Sequence, residues 1–316
     1  MNRTGSDDRV LVCNPTSGSE DHTDRVLALA REHGFHARMT ADEGDATRFA
    51  REAVESGTTL VAAAGGDGTI NEVVNGIRDG SGLERATLAV VPAGTGNNFA
   101  SNLGIDDIDA AFEAIERDER RTIDLGLADD RAFVNSCVGG VTAEASGATT
   151  SEEKRALGVL AYVRETLETA TTFDPLPLRV VLTDDRDGGE TETWAGEALF
   201  VLVGNARRFS NTRQAQANVE DGRFEVTIVE RAPTVDLVGE AALERLFGRE
   251  ADHIVRRRAP SLSVESLGQQ PVEYSLDGEM LEATTLSLET VPGRLAVVVG
   301  EGYEPDPDVA GAGEPW

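Results

Sequence analysis

Apolar and polar positions recur with two different periods along the first part of this chain. Val10-Leu11-Val12-Cys13 is a continuous apolar run that predicts a buried strand, and Asn14-Pro15-Thr16-Ser17-Gly18 closes it as a turn. Val26, Leu27, Leu29 and Ala30 then predict a helix stopped by Gly34, and Phe35 to Met39 a second strand. Phe49, Ala50, Ala53 and Val54 mark another helical face, stopped by Gly57, before a third strand at Thr59–Ala64. Ile70, Val73, Val74 and Ile77 fall at i, i+3, i+4 and i+7, the spacing of an amphipathic helix. Leu88–Val91 gives a fourth strand, and a short helix begins near Asn97. Repeated strand–helix units predict a doubly wound α/β domain, a parallel sheet with helices on both faces.

The pattern changes after Asp124-Leu125-Gly126. Helices are expected near 152–170 and 234–247, and strands elsewhere: Ala132–Val138, Leu178–Thr183, Ala198–Gly204, Phe224–Val229, Ser261–Val264, Val272–Leu276, Thr285–Glu289 and Arg294–Val299. Asp184-Asp185-Arg186-Asp187-Gly188-Gly189 reads as a hairpin turn. The expected organisation is therefore an α/β domain at 1–128, a β-rich domain at 129–303 and a disordered acidic tail at 304–316.

Composition narrows the class. No apolar run among the 316 residues approaches the roughly 18 that a membrane span needs. The polar, acidic start has no signal-peptide core, so a cytoplasmic protein is expected, with peripheral access to the inner face of the membrane. Cys13 and Cys137 sit in apolar runs and read as buried free thiols, and the four histidines lack ligand spacing. The 57 acidic residues outnumber 29 basic ones for a formal charge of −28, and Lys154 is the only lysine. Such a surface disfavours nucleic acid as a partner and fits adaptation to molar salt, where charge repulsion is screened.

Two glycine loops carry the chemistry. Gly65-Gly66-Asp67-Gly68-Thr69-Ile70-Asn71 follows the third strand and opens a helix, and Pro92-Ala93-Gly94-Thr95-Gly96-Asn97-Asn98-Phe99-Ala100 does the same after the fourth. Glycines let a backbone approach phosphate closely, and helix N-termini offer N–H groups to it. Loops after successive parallel strands face one ligand at one sheet edge. A carboxylate among phosphates needs a cation, so Asp67 is read as serving Mg²⁺ or its water shell. The plainer alternative is an aspartate that forms a turn or caps a helix.

These residues resemble the diacylglycerol kinase catalytic-domain family, which includes sphingosine kinases and bacterial lipid kinases. Asn14–Gly18 is similar to its NPxSG turn, Gly65–Asn71 to its GGDGTxN loop, and Pro92–Ala100 to its PxGTxNDFA loop. Ile123-Asp124-Leu125-Gly126 resembles the domain-boundary strand and Leu276-Asp277-Gly278-Glu279 the LDGE motif. The resemblance implies an α/β nucleotide domain, a β-sandwich-like domain and an active site in the cleft between them. It implies ATP and Mg²⁺ as cofactors and a lipid alcohol at the membrane surface as acceptor, and it admits a homodimer. Thr40, Gly65, Gly66, Asp67, Gly68, Thr69, Ile70, Asn71, Gly94, Thr95, Asn97 and Asn98 would contact the nucleotide. Asp277 and Glu279 would lie near the lipid hydroxyl, one of them as general base, with Asp67 the third catalytic carboxylate. Read without the resemblance, Asp277-Gly278 is a hairpin turn. Asp221, with Asn218 and Arg223 beside it, resembles a segment that helps to hold a structural Mg²⁺ in the family.

Three departures stand out. Asn98 replaces a usual aspartate, Gly204–Thr212 lacks a glycine run while Gln214–Ala217 lacks a proline, and Glu225 replaces another aspartate. The competing functions are a kinase for a soluble acceptor such as NAD, because the first loop is shared with NAD kinases, and a nucleotide-binding regulator weakened by Asn98.

Overall fold

The computed structural model describes residues 8–18, 22–94, 96–140, 175–184, 189–206, 217–230, 253–268 and 270–305. The expected helices near 152–170 and 234–247, Thr95, the whole 207–216 segment, the tip of the 184–189 turn and most of the tail lie outside them. The chain divides into two compact units, Met1–Leu125 with Pro292–Asp306, and Gly126–Val291 with Pro307–Trp316.

In the first unit, β1 (Arg9–Cys13), β2 (His36–Met39), β3 (Leu60–Gly65) and β4 (Thr87–Pro92) form a parallel sheet with the spatial order β2-β1-β3-β4. β3 and β4 are buried along their whole length, as strands covered on both faces must be. The connecting helices are α1 (His22–Glu32), α2 (Asp45–Glu55), α3 (Asp67–Asp79), the short α4 (Asn98–Asn102) and α5 (Ile108–Arg117). Parallel crossovers are right-handed, so α1, which leads outward from β1 to β2, must lie on the opposite face from α2 and α3, which lead the other way. The contacts agree. Gly76 of α3 lies so close to α2 that a Cβ there would sit 2.3 Å from the Thr47 carbonyl oxygen. On the other side, the His33 ring beyond α1 packs at a tilt against Phe112 of α5, 5.0 Å between centroids, and Arg25 pairs with Asp109 at 2.5 Å.

Helix α5 was not expected from the pattern. Its buried stripe is Ala111, Phe112, Ala114 and Ile115, and two alanines make a faint stripe. Asp107 starts it, accepting the Ala110 N–H at 2.8 Å.

The second unit is built from antiparallel strands: β5 (Arg120–Ala128), which enters it, β6 (Arg131–Phe133), β7 (Ser136–Gly139), β8 (Leu176–Asp184), β9 (Glu190–Gly204), β10 (Phe224–Glu230), β11 (Ile254–Ala259), β12 (Ser261–Ser266), β13 (Val272–Leu276) and β14 (Glu279–Ala283). The long β9 pairs with β8 through its first part, then with β10 on one side and β7 on the other. Its core includes the stacked Phe133 and Phe224 rings, 5.5 Å apart, and Tyr274. The inward residues alternate with outward ones along β12 and β10, the mark of a sheet with one buried face.

The runs expected as two strands near 285–289 and 294–299 are one, β15 (Thr285–Val298). Its first half pairs with β12 and its last residues with β4 in parallel. Pro292-Gly293 reads as a break, but the strand passes through it because the buried Asp124 carboxylate takes the Gly293 N–H at 2.8 Å. The β15 segment after Val291 belongs to the first unit.

Candidate active site

The strand order of the first unit reverses between β1 and β3, which is where open parallel sheets bind ligands. Three turns lie beyond the carboxyl ends of β1, β3 and β4. The β1 turn is tied to the β3 loop: Asn14 donates its N–H to the Ala64 carbonyl at 2.9 Å and its Nδ2 to Thr69 Oγ1 at 3.3 Å. The same turn approaches the β4 loop at Gly18, whose φ of 61° suits glycine and whose Cβ would lie 2.7 Å from the Ala93 oxygen.

The glycines of these loops fall into two kinds. A Cβ at Gly65 would collide with Thr69 Oγ1 at 2.5 Å, and one at Gly94 with Gly66 Cα at 2.4 Å. Those glycines let the loops pack on each other. Gly68 is different: it is exposed, and a Cβ there would meet nothing within 4 Å. Glycine in the first turn of a helix costs about 1 kcal/mol relative to alanine. Among the described residues no packing requires it, which leaves open space there for a ligand. Gly66, the residue before α3, provides no side-chain cap, so this helix start presents backbone donors to whatever lies beyond it.

The Asp67 carboxylate is engaged by the neighbouring loop. Its Oδ2 accepts the Asn98 N–H at 3.1 Å and its Oδ1 the Phe99 N–H at 3.0 Å. It therefore caps α4 from the neighbouring loop, across 31 residues of sequence. Asn97 closes the second loop on itself, accepting from Gly94 N at 3.0 Å and donating to Gly94 O at 2.9 Å. Asn98 is exposed beside it.

Other expected contacts are placed less favourably. The Ile70 side chain is fully buried and its N–H closes the first turn of α3 on the Gly66 oxygen, so it has nothing to offer a nucleotide. Asn71 is 2% exposed and accepts from Asn75 through both its side-chain and main-chain oxygens. Both side chains pack into the core of the first unit. Thr69 is buried against Asn14. Thr40 leaves β2 with its N–H on the Cys13 oxygen and its side chain half-exposed. Beyond it, Asp45 accepts the N–H groups of Ala41 and Asp42, and these bonds, with Arg48, hold its carboxyl at about 2. Glu72 was not anticipated: burial raises its pKa, opposed by hydrogen bonds from the Thr47, Ala46 and Gly44 backbone at the start of α2.

In the second unit, Asp277 and Gly278 have φ of 50° and 102° and join Leu276 to its cross-strand partner Glu279. Two residues with positive φ in a two-residue loop make a hairpin turn of the type that matches strand twist. The hairpin reading is thus correct, and Asp277 has a second task. Its carboxylate accepts three N–H groups, from Val134 at 2.7 Å, Asn135 at 2.9 Å and Ser136 at 2.8 Å. It is 7% exposed and fastens the Phe133–Ser136 bend between β6 and β7. Three accepted N–H groups favour the charged carboxylate and so weaken it as a proton acceptor. Glu279, two residues on, is exposed at the start of β14.

Both cysteines are free and buried, as expected. Burial pushes the Cys13 thiol up to about 11, and burial together with the Asp277 charge pushes Cys137 higher. Neither thiol is a ready nucleophile.

The expected metal residues do not form a cation cage. Asn218 Oδ1 accepts the Glu220 N–H at 2.9 Å, and Asp221 Oδ1 accepts the Arg223 N–H at 2.8 Å. The other Asp221 oxygen faces the Arg258 guanidinium, and Arg223 itself pairs with Asp184 at 2.5 Å. The donor set as placed does not fit a divalent ion.

Glycine-lined turns at the switch point of a parallel sheet, one of them opening on the uncapped start of α3, are the arrangement by which open α/β sheets hold phosphate. Comparison with known proteins carries this further. The family described as diacylglycerol kinase catalytic domain matches residues 8–128, and that described as YegS C-terminal NAD kinase beta sandwich-like domain matches residues 135–299. A Pseudomonas aeruginosa protein named "Probable lipid kinase YegS-like" is 33% identical over 93% of this chain and 94% of its own. A Staphylococcus haemolyticus protein named "Diacylglycerol kinase" is 31% identical over 85% of this chain and 81% of its own. A solved chain from Bacillus anthracis str. Sterne has the same fold, with a TM-score of 0.76 at 24% identity, covering 94% of this chain and 98% of its own. The protein belongs to the diacylglycerol kinase catalytic-domain family of lipid kinases, and pairs that domain with a YegS-type β-sandwich-like domain.

Proposed function

We propose that the protein transfers the γ-phosphoryl group of ATP to a hydroxyl of a membrane lipid. The observation that carries this reading is Gly68, a glycine that no packing among the described residues requires, at the uncapped start of α3. The backbone donors of the Gly65–Thr69 loop would hold phosphate oxygens, with Thr40, Gly94, Thr95, Asn97 and Asn98 around the rest of the nucleotide. The Asp67 carboxylate, half-exposed at the start of α3 beside these donors, would serve the water shell of a Mg²⁺ ion carried by the nucleotide. Bound there with ATP, Mg²⁺ would neutralise charge on the transferring phosphoryl group.

Glu279 is assigned as general base. It accepts the hydroxyl proton while the lipid oxygen bonds to the γ-phosphorus and the bond to the ADP oxygen breaks. Asp277 positions it by fixing the turn that carries it. Among the described residues no helix is long and apolar enough to cross a membrane, so the acceptor would be met from the aqueous side of the bilayer. The acidic, lysine-poor surface further fits a cytoplasm of high salt.

A second reading is a soluble acceptor such as NAD, favoured by the NAD kinase-like description of the C-terminal domain. The two are separated by supplying MgATP with a lipid extract or with NAD and identifying the product by mass spectrometry. A phosphorylated lipid is expected. Phosphorylated NAD without lipid product would overturn the proposal, and ATP binding without either product would favour a regulator.

A further inference from the structure

The turn Asn218–Arg223 before β10 resembles a metal-holding segment, yet its oxygens are already engaged. Arg258 on β11 lies opposite Glu225 on β10 in the strand register. From there its guanidinium reaches two carboxylates, Asp221 and, at 2.7 Å through Nε, Glu225. Asp221 turns its other oxygen to the Arg223 N–H, and the Arg223 side chain continues the chain of charges to Asp184 on β8 at 2.5 Å. The result is an alternating line of acid and base that ties the turn to β8, β10 and β11. A small divalent ion needs near-octahedral oxygen ligands and would face the Arg258 cation beside the same carboxylate. Among the described residues no cluster of three or more His, Cys, Asp or Glu offers an alternative cage.

We propose that Arg258 takes the place of a structural divalent cation at this turn, so that the second unit holds its fold without metal. A guanidinium suits the role because its fixed fork of donors satisfies two carboxylates at once and it stays charged at every working pH. The proposal is independent of the acceptor's identity.

The test is thermal melting of the nucleotide-free protein at matched ionic strength, in EDTA, Mg²⁺ or Ca²⁺. The wild type is expected to melt at the same temperature in all three. Arg258→Gln should melt about 3–6 °C lower, and Arg258→Lys between the two. A divalent-induced rise in the wild type that disappears in Asp221→Asn would place a metal at this turn and overturn the proposal. A rise that persists in Asp221→Asn belongs to another site and leaves it standing. Arg258→Gln melting with the wild type would also overturn it.

Discussion

The glycine loops of the first unit and the Asp277-Gly278 hairpin of the second each hold one aspartate by backbone N–H groups, but they leave it in opposite situations. Asp67 takes two N–H groups, is half-exposed and borders the open space at Gly68. Asp277 takes three, is buried and sits in a left-handed turn. The first stands at the rim of a candidate ligand space; the second is enclosed by the protein. Motif matching alone treats both as catalytic carboxylates, and only their partners tell them apart.

The largest effect expected is at the acceptor. Glu279→Gln should lower kcat by about 10²- to 10⁴-fold without weakening ATP binding, as loss of a general base does. Wild-type rates of lipid phosphorylation in this variant would move the base elsewhere. Asp67→Asn should lower turnover about 10²-fold or more while circular dichroism stays native, because the carboxamide keeps one acceptor for capping but loses the charge that serves Mg²⁺. Near-normal turnover at saturating Mg²⁺ would reduce Asp67 to its capping role.

Asp277→Asn should behave differently from both. Its amide places donors against donors and should cost about 1.5–3 kcal/mol of stability, seen as a lower melting temperature. A variant as stable as the wild type but inactive would return Asp277 to the chemistry. Salt acts on both regions together. Activity should be weak at about 0.1 M KCl and rise toward molar concentrations, where the screening length falls to about 3 Å. Full activity and stability at low salt would remove the halophilic reading of the −28 charge.

The smallest effect concerns Asp45. Its folded pKa of about 2 lies below the ordinary 3.8, so its contribution to stability is present above the unfolded value and is lost as pH falls through about 2. Asp45→Asn should flatten the pH dependence of melting between those limits. An unchanged slope would mean that the Ala41 and Asp42 bonds do not persist in solution.

The loops were legible because glycine and helix-start chemistry is local. The roles of Asp67 and Asp277 were not, since their partners lie 31 and more than 140 residues away. Among the elements, β11 escaped notice because Arg256, Arg257 and Arg258 mask a strand whose one described partner is β10. β14 escaped because EMLEA is short, acidic and mostly exposed. Both depend on a neighbouring strand for their form, a tertiary effect that no local pattern announces.

The most direct test of the account is calorimetric binding of MgATP to Gly68→Ala, alongside its melting temperature. A methyl group at this position meets nothing within 4 Å among the described residues and improves helix propensity, so the variant should be as stable as the wild type or slightly more so. If phosphate occupies that space, affinity for MgATP should fall at least about tenfold, a loss of roughly 1.4 kcal/mol. Unchanged affinity in a normally folded Gly68→Ala protein would contradict the placement of the nucleotide at α3.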